Sequence, residues 1–211
     1  MLLDFILHID NHLDLLIQNY HGMIYFILFL IIFVETGLVI MPFLPGDSLL
    51  FAVGAISARG HIDFFTIGLL LILAAFLGDF LNYFLGKKFG HHFFTKEKSF
   101  WFNPDHLHKA NLFYEKYGAK TIVFARFIPI VRTFAPFVAG IGEMNSKKFM
   151  TYNFLGGALW VISFLGLGHF FGNLPAVRAN FKMVILAIMI ISIMPAVLEY
   201  FKKTSESDKQ D

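Results

Sequence analysis

Thr121-Ile-Val-Phe-Ala-Arg126-Phe-Ile-Pro129-Ile-Val-Arg132-Thr-Phe-Ala-Pro136-Phe-Val-Ala-Gly140 is as apolar as a membrane span, yet it holds two arginines and two prolines. An ordinary transmembrane helix accommodates neither cheaply. Proline removes an intrahelical hydrogen bond, and a charge at the bilayer centre costs at least ~2.5–3.5 kcal/mol even on the most lenient insertion scale. Irregular backbone at membrane depth is tolerated only where protein or a water-filled cavity surrounds it. The stretch therefore predicts a broken, enclosed segment of an all-α integral membrane protein.

The rest of the chain agrees. Of 211 residues, 57% are hydrophobic and only 15% charged, and the 28 Phe lie largely in long apolar runs. Soluble domains carry nearer ~25% charged residues, so water is not the main solvent here. The absence of cysteine excludes disulfides, thiolate metal sites and thiol nucleophiles. Met1–Asn19 carries Asp4, Asp10 and Asp14 but no Lys or Arg, unlike the positive start of a signal peptide, and is expected to be retained. Its apolar residues recur at helical spacing, which predicts an amphipathic surface helix over 1–21.

A second broken segment precedes the first. Met23–Ile40 is apolar apart from Glu35, and Met41-Pro42-Phe-Leu-Pro45-Gly46-Asp47 then stops any regular helix before Leu49–Ile56 resumes it. The expected membrane domain occupies 22–172, with hairpins at 23–56 and 121–140, spans at 64–86 and 149–171, and a polar loop at 87–120. In that loop Asn103-Pro104 begins a surface helix that Gly118 closes, and Ser146 is the expected N-cap of the second span. A C-terminal span follows within 173–201, then a polar tail at 202–211.

Charge sets the expected topology. Twelve lysines lie in 87–120, in the 145–148 link and after Phe201, whereas the other connections hold only Arg59, Arg178 and Lys182. By the positive-inside rule the lysine-rich group is cytoplasmic, the N-terminus is outside and the C-terminus is inside. Each broken segment then leaves by the face it entered, giving two re-entrant hairpins that point at each other. Pro42–Gly54 and Pro129–Gly140 are similar in pattern, so the segments read as inverted repeats, an arrangement that places substrate sites at mid-membrane in many transporters.

Four ionisable residues fall at the breaks marked by Pro42, Pro45, Gly46, Pro129 and Pro136. Arg126 and Arg132, six residues apart across Pro129, can aim their guanidinium forks at phosphate oxygens. Glu35 and Asp47 can neutralise them without ligand and carry or gate protons. The plainer alternative is a set of ion pairs that only locks the hairpins. Asp79, with Asn82 and Tyr83, extends a polar path or faces water at the inner end of its span. His91-His92 and His106-x-His108 lack carboxylate partners and read as solvated surface; no metal or cofactor is expected. Gly156-Gly157 and Trp160 read as helix packing, as do Gly168 and Gly172.

Phe124–Arg132, the following Thr-Phe-Ala-Pro-Phe-Val-Ala-Gly140 and Met144 closely resemble the signature of the DedA family, which shares the VTT or SNARE-associated domain. Glu35, Pro45-Gly46-Asp47 and Gly54 match that family's first hairpin, and Gly78-Asp79 through Tyr83 and Gly86 its next span. The resemblance covers roughly Gly22–Gly172. It implies a multi-pass bacterial inner-membrane protein tied to envelope maintenance and proton motive force, with Glu35, Asp47, Arg126 and Arg132 at important positions. Relatives are thought to return undecaprenyl phosphate to the cytoplasmic leaflet or to flip phospholipids.

The leading expectation is a proton-linked flippase of a phosphate-bearing lipid, Arg126 and Arg132 binding the headgroup. The alternative is an antiporter of protons and monovalent cations. An enzyme of lipid phosphates would need a nucleophile or metal beside the arginines, and the sequence offers neither; a structural helper of envelope assembly would use the hairpins for stability alone. A homo-oligomer is compatible with the sequence, and nucleic acid is not an expected partner.

Overall fold

The computed structural model describes residues 22–38, 46–94, 118–192 and 194. The expected N-terminal helix, Pro42, Pro45, the Asn103-Pro104 helix with His106 and His108, and the polar tail lie outside them. Within the described residues the regular structure is entirely helical: α1 Met23–Gly37, α2 Gly46–Ser57, α3 Phe64–Phe94, α4 Lys120–Ala125, α5 Pro129–Ile141, α6 Ser146–Phe171, α7 Pro175–Ala179 and α8 Phe181–Ser192.

Two helices, Phe64–Lys88 within α3 and Ser146–Phe171, are long and apolar enough to cross a membrane. They run antiparallel. Phe64 at the start of α3 meets His169 at the end of α6, with ring centroids 4.5 Å apart. At the opposite pole Tyr83 stacks on Phe149 at 4.2 Å and donates to the Met144 carbonyl at 2.5 Å. The N-cap of α6 is Asn145, whose side chain accepts from the N–H groups of Lys147 and Lys148 at 3.1 and 3.3 Å, so the cap sits one residue before the expected Ser146.

The shorter helices are held by these two. The Tyr25 hydroxyl at the start of α1 accepts from the Asp63 N–H at 2.9 Å, and Ser57 at the end of α2 lies 2.9 Å from His169 Nδ1. Thus α1 begins and α2 ends at one pole, while Glu35 and Asp47 meet in the interior. On the other side, α5 ends where Gly140 lies against Tyr83 and Lys87 of α3. The pairing is reciprocal: α1 and α5 pack on α3, and α4 and α2 pack on α6. Where α2 crosses α6, Gly54 faces the backbone of Leu165 and Gly168 faces that of Phe51; where α5 crosses α3, Gly140 faces Tyr83 and Gly86 faces Phe137. Glycine permits these approaches because any Cβ would strike the facing backbone.

Two apolar cores result. The larger joins Ile24, Leu28 and Ile32 of α1 to α2, the first half of α3, the second half of α6, and Phe181 and Ile185 of α8. The smaller gathers Tyr83, Ile122, Ala125, Ala135, Ala139 and Phe149. The exterior is also apolar: Phe26, Phe65, Leu69, Leu159, Ile162 and Phe170 are all at least half exposed, a surface suited to hydrocarbon.

Two expectations are corrected here. Pro136 is not a break, because α5 runs through it; the chain breaks at Arg126–Ile128, and Pro129 opens the next helix, where its missing N–H costs nothing. The expected C-terminal span is not one continuous helix: within 173–201, α7 and α8 are separate helices with Asn180 between them. The apolar span that starts α3 ends at Lys88, close to the expected Gly86, and the helix continues beyond it to Phe94.

Candidate functional site

The charges singled out in the sequence converge between the two cores. Glu35, Asp47, Asp79, Arg126 and Arg132 are each at most 6% exposed, a depth at which ionised groups persist only when paired. Glu35 arrives at the last turns of α1, whose end abuts α3 at Gly37 and Gly78. Asp47 sits in the first turn of α2, preceded by Gly46; a Cβ on Gly46 would come within 2.6 Å of the Glu35 carboxylate. The two acids can therefore lie together only because that position is glycine.

Arg132, in the second turn of α5, spans both acids. Its Nη1 donates to Asp47 Oδ1 at 2.9 Å and its Nη2 to Glu35 Oε1 at 2.5 Å. The helix that carries it is pinned from α3, where Asn82 Nδ2 donates to the Thr133 carbonyl at 2.8 Å. Arg126, at the end of α4, takes a different carboxylate: its Nη2 pairs with Asp79 Oδ2 and donates to Asn153 Oδ1 at 2.6 Å and the Ala75 carbonyl at 3.2 Å. Glu35 and Asp47 thus serve one arginine, not both. Asp79, which the sequence allowed to face water, is 1% exposed and is the carboxylate partner of Arg126.

One face of α6 completes the site. Asn153, Gly157 and Trp160 fall at i, i+4 and i+7 and so share a stripe of the helix. A Cβ on Gly157 would stand 3.4 Å from the Arg126 guanidinium carbon, so the bare helix is the surface on which that group lies. Trp160 donates from Nε1 to Asp47 Oδ1 at 2.7 Å, and its ring faces Arg132 at 4.8 Å and Arg126 at 5.9 Å. Neither Asn153 nor Trp160 is recognisable as a site residue in sequence, since each is unremarkable in a span; the only available signal was their helical spacing around Gly156-Gly157.

The site retains hydrogen-bonding capacity. Arg126 Nε and Nη1 and Arg132 Nε are buried donors without a protein acceptor, and Glu35 Oε2 and Asp79 Oδ1 are buried acceptors without a donor. With every group ionised, three carboxylates face two guanidiniums, one negative charge in excess. Such an arrangement can exchange a carboxylate for another oxyanion at an arginine, or take up a cation or proton. No group of three or more His, Cys, Asp or Glu with metal-binding geometry occurs among the described residues.

Comparisons with known proteins place this geometry in context. The VTT domain family matches residues 44–170. The chain is 49% identical to Protein DedA of Escherichia coli strain K12 over 95% of its own length and 93% of that protein's. It is 42% identical to an uncharacterized membrane protein of Mycobacterium tuberculosis strain H37Rv, covering 80% of this chain and 75% of that one. Inner membrane protein YqjA of Escherichia coli strain K12 is 35% identical, with 82% and 79% covered. No solved structure matches the chain. Its identity to these membrane proteins, together with the apolar exterior and two membrane-length helices, makes the chain a membrane protein of the DedA family, built on a VTT domain.

Proposed function

We propose that the protein moves a phosphate-bearing lipid, undecaprenyl phosphate or a phospholipid, between the leaflets of a bacterial inner membrane, linked to proton movement and without covalent chemistry. The observation that carries this reading is the pair of buried arginines whose unpartnered N–H groups lie beside exchangeable carboxylates. An incoming phosphate adds negative charge to a site that already has one in excess, so it can bind only as a carboxylate is neutralised or displaced. Protonation of Glu35 or Asp47 weakens its hold on Arg132 and frees that guanidinium for phosphate oxygens. Release of the headgroup reverses the exchange.

In this reading each broken pair, α1–α2 and α4–α5, is a re-entrant hairpin, and the two enter from opposite faces as inverted repeats. The reciprocal packing of α2 on α6 and α5 on α3 supports it. Lys87, Lys88, Lys147 and Lys148 are exposed at the pole of Tyr83 and Ser146, which is assigned to the cytoplasm; Arg59, His61 and Asp63 belong to the outer pole.

A second reading is favoured by the excess carboxylate: a proton/cation antiporter in which Glu35 and Asp47 bind the ion and the arginines are counter-charges. Leaflet exchange of labelled undecaprenyl phosphate and phosphatidylethanolamine in proteoliposomes, with and without a proton gradient, separates the two. Lipid exchange lost in both Arg126→Ala and Arg132→Ala supports the lipid transporter. Absence of exchange from folded protein under any gradient would falsify it and leave the antiporter.

A further inference from the structure

We propose that Trp160 is the positioning residue of the charged site: its indole N–H holds the Asp47 carboxylate, and its ring face holds both guanidiniums while their carboxylates exchange for a phosphate group. The inference rests on the transport reading for the exchange, but the geometry behind it does not. Trp160 is fully buried at 0% exposure, and a buried indole N–H ordinarily finds an acceptor. The acceptor here is the same Asp47 oxygen that receives Arg132 Nη1, so one carboxylate oxygen is fixed from two helices, α5 and α6.

The ring makes the second contribution. The carboxylate contacts of Arg132 weaken when Glu35 or Asp47 is protonated or displaced. The attraction between a guanidinium and an aromatic face does not depend on either event. At 4.8 Å, the indole face remains with Arg132 through the exchange, and at 5.9 Å it also reaches Arg126. An aromatic face repels anions, because its quadrupole is negative there. A phosphate is thereby directed to the guanidinium edges, where Arg126 Nε and Nη1 and Arg132 Nε have no protein acceptor. The charged groups against the indole are Asp47 from α2, Arg126 from the end of α4 and Arg132 from α5; behind them Glu35 from α1 pairs with Arg132 and Asp79 from α3 with Arg126, and the indole's own helix contributes the uncharged Asn153.

The sequence supplies a clean probe, because Trp101 and Trp160 are the only tryptophans. In full-length Trp101→Phe protein in nanodiscs, Trp160 emission should change saturably with a short-chain phosphatidate and not with the matching diacylglycerol. The response should vanish in Arg132→Ala. Asp47→Ala removes the acceptor of the indole N–H and should shift Trp160 emission even without ligand.

In leaflet exchange, Trp160→Phe keeps a ring but loses the N–H and should slow transport about 10-fold with an altered pH profile. Trp160→Leu loses both contacts and should slow it about 100-fold or more. Folded Leu variant at the wild-type rate, or a Phe variant no better than Leu, would reduce Trp160 to packing. Emission indifferent to both phosphatidate and Asp47→Ala would do the same, and needs no substitution at Trp160. If the unmodified chain exchanges no lipid at all, the transport reading falls. The emission shift in Asp47→Ala without ligand then decides the positioning role alone, and emission unchanged in that variant overturns it.

Discussion

Arg126 and Asp79, 47 residues apart in sequence, form a fully buried ion pair that ties the break after α4 to the middle of α3. Removing one member of such a pair strands a charge and costs about 3–5 kcal/mol, whereas removing both can cost much less. Asp79→Asn should therefore lower the unfolding midpoint more than the double variant Asp79→Asn/Arg126→Gln. A double-mutant cycle in detergent, read by thermal unfolding, checks this. Additive effects would show that the pair contributes no coupling.

Arg132 donates to two different carboxylates from two different nitrogens, so its planar fork sets the geometry. Lysine offers a single point charge and cannot reach both acids as the guanidinium does. Arg132→Lys is expected to leave a folded protein that exchanges labelled lipid at least about 10-fold more slowly, each charged hydrogen bond being worth about 1.5–3 kcal/mol. Parity with the unmodified chain in the proteoliposome assay would show that charge alone suffices.

Much of this arrangement is legible in the sequence, for a physical reason. Arg126, Arg132, Glu35 and Asp47 are conspicuous because charge in apolar runs is expensive, and Gly168 and Gly172 because small residues at helical spacing mark close crossings. The partnerships are not legible. Arg132 finds Glu35 97 residues away, Trp160 finds Asp47 113 away, and nothing local encodes either pairing. Asp79 stayed open between a polar path and water because its place near Asn82 and Lys87 also resembles a water-facing helix end; the break after α4 delivers Arg126 to it. Pro136 departs from expectation: proline predicts a break, but α5, packed against α3, stays helical through it.

The glycine crossings make a prediction within a single helix. A Cβ on Gly168 would collide with the Phe51 backbone, while one on Gly166 would meet nothing within 4 Å. Gly168→Ala should destabilise by about 1–3 kcal/mol through overpacking. Gly166→Ala should be neutral or stabilise by up to about 1 kcal/mol, because alanine is the better helix former. Thermal unfolding of the two variants side by side measures the difference. Equal midpoints would mean that α2 and α6 do not meet as closely as described.

Orientation can be tested in a chain without cysteine. His61 and Lys147 are exposed at opposite poles, and neither contributes a side chain to the charged site. In intact cells, a membrane-impermeant thiol reagent should label His61→Cys and spare Lys147→Cys until the membrane is opened. The reverse pattern would invert the assignment of the poles, and equal labelling of both would remove the two-faced arrangement altogether.

Asp63 gives the outer pole a pH dependence with a definite sign. Its side chain accepts from the Thr66 N–H at 2.8 Å at the start of α3, and hydrogen bonds from Thr66 hold its carboxyl below the usual carboxylate range. A depressed folded-state value means that the cap contributes fully above the unfolded value of about 3.9 and is lost as pH falls through the lower, folded one. Helix protection around 63–67 should therefore be constant from neutral pH to about pH 5 and decline below about pH 4. Asp63→Asn keeps an acceptor oxygen but does not titrate, so its protection should lack that decline. Hydrogen exchange on the two proteins in nanodiscs, corrected for intrinsic rates, makes the comparison; an identical acid decline in both would assign it to other groups.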